Sequence, residues 1–130
     1  MTRSRILIIE DDAEVRELLG TLLSRDGHKI SSAADGIEGI HVFRTDPADL
    51  IITDLVMPGK EGLETIVDLR REFPDLKIIA ISGGGLDGQN NYLNAARLCG
   101  ATLTFRKPFK NQELLDAVNG LLNKTNQSES

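Results

Sequence analysis

Short apolar segments alternate with amphipathic segments along almost the whole chain. The amphipathic segments have the spacing of one helix face, as in the run Val15, Leu18, Leu19, Leu22 and Leu23. The predicted strands are 6–9, 29–33, 50–53, 78–81 and 102–105. Because a helix follows each strand, the pattern predicts an α/β protein with a doubly wound, five-stranded parallel sheet.

Glycine and acidic residues mark the ends of the predicted helices. Gly27 and Gly100 stand where the first and fourth helices should end. Asp11, followed by Glu14, has the spacing of a capping box at the start of the first helix. Asp35 is the predicted N-cap of the second helix.

Length and composition indicate one globular domain. The 130 residues are 40% hydrophobic and 27% charged, which suits a chain with a buried core. We expect the domain to span residues 1–123 and the polar tail 124–130 to be disordered.

The net charge of −5 disfavours direct nucleic-acid binding. The single cysteine, Cys99, fits a reducing compartment, and no apolar run is long enough to cross a membrane, so we expect a cytoplasmic protein.

Residues that carry chemistry follow the predicted strands at their carboxyl ends. Glu10 and Asp11 follow the first strand, Asp54 the third, Ser82 the fourth and Lys107 the fifth. In an open α/β sheet, ligands bind at this edge. Each residue alone has an ordinary interpretation, such as a helix cap, a turn residue or a solvated lysine. Their position on one edge is what indicates a functional site.

The residue types at this edge suit phosphoryl transfer. Carboxylates that converge repel one another unless a cation joins them, and hard oxygen ligands with access to water suit Mg²⁺, with Mn²⁺ as the alternative. His28 and His41 lack a second His or Cys nearby, so zinc is not expected and both are expected at the surface. Asp54 would be the nucleophile that forms an acyl phosphate, with Lys107 and Ser82 binding the phosphoryl oxygens.

Five short segments occur in an order that is specific when they are taken together. They are 6–12 (ILIIEDD), 53–58 (TDLVMP), 62–64 (GLE), 79–82 (IAIS) and 107–109 (KPF). With them, the chain resembles the receiver domain of bacterial two-component response regulators over almost its whole length. The type it resembles is the stand-alone receiver of the chemotaxis-regulator kind.

The resemblance implies a flavodoxin-like fold with strand order 2-1-3-4-5 and Asp54 as the phosphoacceptor. It also implies that Asp11, Asp54 and the backbone carbonyl of Val56 ligate Mg²⁺, with Glu10 acting through water. The phosphodonor would be a phosphohistidine on a sensor histidine kinase or a phosphotransfer protein. The chain would then be a signalling switch rather than an enzyme in the usual sense.

The resemblance further assigns Ser82 as the switch hydroxyl, Lys107 as the phosphate-binding lysine and Pro108 as a cis proline. One position departs from the family. Receivers commonly carry Tyr or Phe three residues before the lysine, and here Thr104 stands there. Phe105 is one place later and, by strand alternation, faces the other side of the sheet. We therefore expect phosphorylation to be retained without a readout through an aromatic rotamer.

The output predicted for such a receiver is binding to another protein, which the sequence does not identify. The resemblance places that contact on the face of the fourth helix, the fifth strand and the fifth helix. Homodimer formation on phosphorylation stays open, as does a role as a phosphate relay or sink.

Three other functions compete with this interpretation. A flavodoxin-type cofactor binder needs a loop rich in Ser, Thr and Gly after the first strand, where this chain has Glu10, Asp11 and Asp12. An aspartate-nucleophile phosphatase needs a second Asp two residues after the first, where this chain has Val56. A receiver-like module that binds proteins without being phosphorylated is the more serious alternative.

Overall fold

The structure is a computed structural model and describes residues 4–55, 62–82 and 89–127. Strands and helices alternate through this part of the chain. The strands are β1 (Arg5–Ile9), β2 (Lys29–Ala33), β3 (Leu50–Asp54), β4 (Lys77–Ser82) and β5 (Leu103–Arg106). The helices are α1 (Ala13–Arg25), α2 (Gly36–Thr45), α3 (Gly62–Glu72), α4 (Gln89–Cys99) and α5 (Asn111–Gln127). The predicted strands and helices are thus present, and α5 includes residues 124–127, which the sequence had placed in the tail.

The five strands form one parallel sheet in the order β2-β1-β3-β4-β5. This is the predicted flavodoxin-like order. The chain runs from β1 outward to β2 and then returns to the other side of β1 as β3, so the direction of winding reverses between β1 and β3. That reversal opens a crevice at the carboxyl ends of these two strands, where α/β proteins bind their ligands.

The core has two layers, one on each face of the sheet. The first core cluster includes Leu7, Ile9 and Ile51 and packs towards α2, α3 and α4. The second core cluster includes Ile6 and Ile8 and packs towards α1 and α5. Neighbouring residues of one strand therefore enter opposite layers, and both layers are apolar. This explains why the central strands lack the polar alternation of a sheet that faces water on one side.

The helix ends are largely those predicted. Gly27 and Gly100 have φ angles of 97° and 122°, in the left-handed region that glycine adopts without strain. Asp35 caps α2, since its Oδ1 accepts a hydrogen bond of 2.8 Å from the backbone N–H of Glu38. Both predicted stops and the second N-cap are confirmed.

The predicted cap of α1 is wrong by one residue. Asp12 is the N-cap, and its Oδ1 accepts hydrogen bonds from the N–H groups of Glu14 at 2.9 Å and Val15 at 3.4 Å. The helix begins at Ala13, so the residue that can reach these donors is Asp12. Asp11 is consequently not used for capping.

Both histidines were expected at the surface. His41 is exposed, but His28 is half-buried. The His28 side chain is only 9% exposed, and its Nε2 lies 3.2 Å from Oδ1 of Asn119 on α5. The residue therefore packs between the end of α1 and α5. Within the described part of the chain, none of the helices combines the length and the apolar character that a membrane crossing needs.

Candidate functional site

The carboxyl ends of the strands bring four of the predicted site residues to one edge of the sheet. Glu10 follows β1, Asp54 ends β3, Ser82 ends β4 and Lys107 follows β5. The parallel register keeps these ends level, because Asp54 lies opposite Ile81 on β4 and Ser82 lies opposite Arg106 on β5. The edge that the sequence indicated is therefore one continuous surface.

Three carboxylates converge at this edge. Glu10, Asp11 and Asp54 each offer an oxygen, and these oxygens all lie within 4.8 Å of one another. Glu10 and Asp54 are buried, with exposures of 3% and 8%, whereas Asp11 is exposed. A set of hard oxygen donors that is open to water on one side suits a cation that keeps part of its hydration shell. The residues present therefore fit Mg²⁺.

The Lys107 side chain points towards the carboxylates. Its Nζ lies 3.4 Å from Oε1 of Glu10 and 3.7 Å from Oδ2 of Asp54. The peptide bond between Lys107 and Pro108 is cis, as expected from the resemblance. One ammonium group thus faces two buried carboxylates. When Lys107, Glu10 and Asp54 are all ionised, the negative charge exceeds the positive charge.

Burial of the Glu10 carboxyl raises its pKa from 4.5 to about 7, and the negative charge of Asp54 adds to this rise. Two contacts oppose it. The backbone N–H of Asp12 donates to Oε2 of Glu10 at 3.2 Å, and Lys107 supplies positive charge. One ammonium group does not compensate for the burial of Glu10 beside the charge of Asp54, which is the electrostatic state expected of a site that a further cation would complete.

Ser82 places a buried hydroxyl at the same edge. The residue is 1% exposed, and its Oγ has no hydrogen-bond partner among the residues that the structure describes. A buried hydroxyl without a partner costs about 1–3 kcal/mol. The backbone N–H of Lys107 donates to the carbonyl oxygen of Ser82 at 2.9 Å, so the hydroxyl and the ammonium belong to two residues that are joined directly. A ligand with oxygen acceptors would satisfy the hydroxyl.

Gly62, the first residue of α3, lies against the backbone of Asp54. A Cβ atom at this position would lie 2.6 Å from the Asp54 carbonyl oxygen and 2.5 Å from the Cα of Leu55. In the sequence analysis, this glycine is marked only by its place in segment 62–64. The structure shows that a side chain here would displace the strand end that carries the Asp54 carboxylate.

The residues around β5 have the orientation that strand alternation predicted. Thr104 lies opposite Ala80, which belongs to the first core cluster. Phe105 packs against the second core cluster, and its ring centroid lies 5.4 Å from that of Phe109. The aromatic ring therefore lies on the face opposite Thr104. The predicted Mg²⁺ ligand Val56 lies outside the described residues.

The family model for the response regulator receiver domain matches residues 6–119. The chain belongs to this family. As a receiver domain of a two-component system, it has the flavodoxin-like fold that the strand order shows.

Curated relatives of this receiver domain are response regulators. The response regulator MprA of Mycobacterium bovis is 33% identical over 135 residues, which cover 97% of this chain and 54% of that protein. A probable transcriptional regulator, ycf27 of Porphyridium aerugineum, is 32% identical over 130 residues, covering all of this chain and 52% of that protein. The chain therefore spans about half the length of the curated relatives it matches.

Solved structures share the fold. A response regulator receiver domain protein from Clostridium thermocellum has a TM-score of 0.86 with 27% identity, covering 95% of this chain and 98% of that one. The chemotaxis protein CheY4 of Vibrio cholerae has a TM-score of 0.82 with 23% identity, covering 92% and 99%. NtrX from Brucella abortus reaches 0.88 with 24% identity, but the match covers only 29% of that chain.

Proposed function

We propose that this receiver domain accepts a phosphoryl group on the carboxylate of Asp54 and signals through the change that follows. The observation that carries the proposal is the position of the Lys107 ammonium, which lies 3.4 Å from Glu10 and 3.7 Å from Asp54 at a strand edge. The buried hydroxyl of Ser82, without a partner among the described residues, supports it. An incoming phosphoryl group supplies the oxygen atoms that both residues can bind.

The reaction forms one bond and breaks another. An oxygen of the Asp54 carboxylate attacks phosphorus, the bond between phosphorus and the donor atom breaks, and the donor atom keeps the electron pair of that bond. For the phosphohistidine donor that we propose, the leaving group is an imidazole nitrogen, which takes up a proton. Asp54 is 8% exposed and its backbone is fixed in β3, so the nucleophile is held in position before the donor arrives.

Glu10, Asp11 and Asp54 would hold Mg²⁺, Glu10 through a water molecule, and Val56 would add its backbone carbonyl. When bound there, Mg²⁺ offsets negative charge on the carboxylates and on the phosphoryl oxygens. The ammonium of Lys107 then binds a phosphoryl oxygen, and Ser82 donates a hydrogen bond to another. Because Ser82 ends β4 and Lys107 follows β5, a phosphoryl group on Asp54 draws the ends of both strands towards β3.

An open groove beside the site supports a protein as the donor. The groove has a volume of about 580 Å³ and includes Lys107 in its wall. Much of the rest of its lining is apolar, with Leu18 being 70% exposed. The lining residues are Val15, Leu18, Leu19, Lys107, Pro108, Phe109 and Asn111. A sensor histidine kinase or phosphotransfer protein that reaches Asp54 would cover this surface.

The stand-alone organisation, the cytoplasmic location and the unidentified target protein are parts of the proposal. In this proposal the added phosphate, which carries roughly −1.5 to −2 of charge, changes the surface that the target binds. Homodimer formation on phosphorylation is an alternative form of the same output.

Incubation with Mg²⁺ and a small-molecule phosphodonor, followed by mass measurement, tests the proposal. We expect the wild-type protein to gain the mass of one phosphoryl group and Asp54→Asn to gain none. Asp11→Asn should show a much reduced gain at the same Mg²⁺ concentration. A wild-type protein that gains no mass would instead support the alternative, a module that binds proteins without being phosphorylated.

A further inference from the structure

The chain turns sharply between β1 and α1, and this turn carries the Asp11 carboxylate. Asp11 is exposed, and the side chain of its neighbour Asp12 is occupied by capping α1. The preceding residue, Glu10, is fixed on one side because its backbone N–H donates to the carbonyl of Ala33 at 3.0 Å. The next peptide joins Glu10 to Asp11. The contacts that hold this peptide determine where the Asp11 carboxylate lies.

Arg16 donates to the carbonyl groups on both sides of Asp11. Its Nη1 lies 2.7 Å from the carbonyl oxygen of Glu10, and its backbone N–H donates to the carbonyl oxygen of Asp12 at 2.9 Å. The residue is half-buried in α1, close to the start of the helix. The side chain thus holds the Glu10–Asp11 peptide, whereas the backbone contact is the first regular hydrogen bond of α1.

We propose that Arg16 is a positioning residue for this site, which fixes the Glu10–Asp11 peptide so that the Asp11 carboxylate faces the cation. The inference rests on the proposed function, because it concerns how the same site holds Mg²⁺. The arginine acts through the backbone and takes no carboxylate oxygen of Glu10, Asp11 or Asp54 in this contact. This contact therefore competes neither with the cation for those oxygens nor with the phosphoryl group for Lys107.

The side chain at this position needs the length and fixed charge of arginine. A guanidinium remains protonated at all relevant pH values and presents N–H groups in a rigid plane, so its contact with a carbonyl is both charged and oriented. Lysine keeps the charge but not the planar set of donors. Methionine keeps much of the aliphatic length and removes the donors, which makes it the sharper variant.

The test is a Mg²⁺ titration of the unphosphorylated protein, followed by the NMR shifts of the Asp11 and Asp12 amides. We expect Arg16→Met to weaken Mg²⁺ binding about 10-fold, the scale on which residues that orient metal ligands act. Arg16→Lys should recover part of the affinity. Arg25→Met, which removes an exposed arginine from the last turn of the same helix, is the matched control and should bind Mg²⁺ as the wild type does.

A second readout separates positioning from general damage. With a small-molecule phosphodonor, Arg16→Met should need about 10-fold more Mg²⁺ for half-maximal phosphorylation but reach a near wild-type rate at saturation. Unchanged Mg²⁺ affinity in Arg16→Met would overturn this inference and leave the proposed function standing. A wild-type protein that binds no Mg²⁺ would overturn the proposed function itself. If Arg16→Met does not fold, Arg16→Lys decides, with wild-type affinity counting against the inference.

Discussion

Two groups of charged residues in this molecule have opposite characters. Arg44 on α2 and Glu72 on α3 form a two-pronged ion pair with N–O distances of 2.9 and 2.8 Å. Their side chains are 57% and 40% exposed. At the strand edge, Lys107 faces Glu10 and Asp54 at the longer distances of 3.4 and 3.7 Å, although both carboxylate side chains are at least nine-tenths buried.

The two groups differ in how well their charges are matched. At the surface, a hydrogen bond from Arg44 lowers the pKa of Glu72, so both partners are satisfied. Within the sheet edge, burial raises the pKa of Glu10, so ionisation there is opposed. Exposed ion pairs contribute little to stability because water already solvates them well, whereas buried charges are costly unless they are matched. The strand edge therefore carries buried charge that its own groups do not fully match, as the proposed site would require.

The largest effect on signalling is expected when the strand-edge group loses the ammonium of Lys107. Lys107→Ala removes the only contact by which β5 would bind a phosphoryl group on Asp54 in the proposed mechanism. We expect the phosphorylation-dependent NMR shifts of the β5 amides, Leu103–Arg106, to disappear. Lys110→Ala, which removes an exposed lysine three residues later, is the control and should keep them. Wild-type shifts in Lys107→Ala would show that the ammonium does not transmit the signal.

The buried group also depends on close backbone packing, which the surface pair does not. Gly62→Ala places a Cβ 2.6 Å from the Asp54 carbonyl oxygen, so the strand end must move. We expect a loss of about 1–3 kcal/mol in the free energy of unfolding and phosphorylation slowed about 10-fold or more. Gly120→Ala is the control, because nothing lies within 4 Å of its added methyl group. That change in α5 should stabilise the protein by about 0.5–1 kcal/mol. Equal effects of the two substitutions would contradict the steric explanation.

The raised pKa of Glu10 predicts a pH dependence in the metal-free protein. Native Glu10 keeps its proton up to about pH 7, whereas the unfolded chain releases it near pH 4.5. Its contribution to stability is therefore complete below pH 4.5 and is lost as the pH rises through 7. At about 1.4 kcal/mol per pKa unit, the loss is at most roughly 3–4 kcal/mol.

Urea unfolding in the presence of a chelator measures this loss. We expect the stability difference between Glu10→Gln and the wild type to grow in favour of the variant from pH 4.5 to pH 8, because glutamine cannot ionise. Curves that stay parallel over this range would show that Glu10 is ionised in the native protein. Mg²⁺ should reduce the difference, since a cation at the site favours the ionised carboxylate of the wild type.

The smallest effect is expected at the surface pair, although its geometry is the better of the two. Arg44→Ala should leave the urea midpoint and the rate of phosphorylation unchanged within error, because water replaces the lost hydrogen bonds. A double-mutant cycle with Glu72→Ala, measured at low and at high salt, isolates the pair. A coupling energy that is large and insensitive to salt would contradict the expectation that the surface pair contributes little to stability.

The fold could be predicted from sequence because its signals agree with one another. Apolar segments, helix spacing and the two glycines at 27 and 100 all gave the same alternation of strands and helices, and the strand order followed from the family resemblance. The predicted cap of α1 failed because Asp11 and Asp12 both precede the helix, and a shift of one residue decides which carboxylate reaches the Glu14 N–H. His28 was misplaced because its partner Asn119 lies 91 positions away in sequence.

The residue types of the candidate site could also be predicted, since parallel strands bring their carboxyl ends together. The distances between these residues, their burial and the resulting electrostatics could not be predicted from the sequence. The rise in the pKa of Glu10 depends on how completely the fold excludes water around it, and the close approach of Gly62 to Asp54 depends on the angle at which α3 meets β3. Arg16 looked like an ordinary polar position of an amphipathic helix, because its contact is with a backbone carbonyl that no sequence pattern marks.

The hydrogen bond from the Lys107 N–H to the Ser82 carbonyl has a mechanical consequence. It joins the last residue of β4 to the first residue beyond β5, at the level where the Lys107 side chain faces the carboxylates. A pull on either side chain is therefore shared by both strands, and a load applied at one point spreads over two segments of backbone. The ends of β4 and β5 should therefore move together rather than independently.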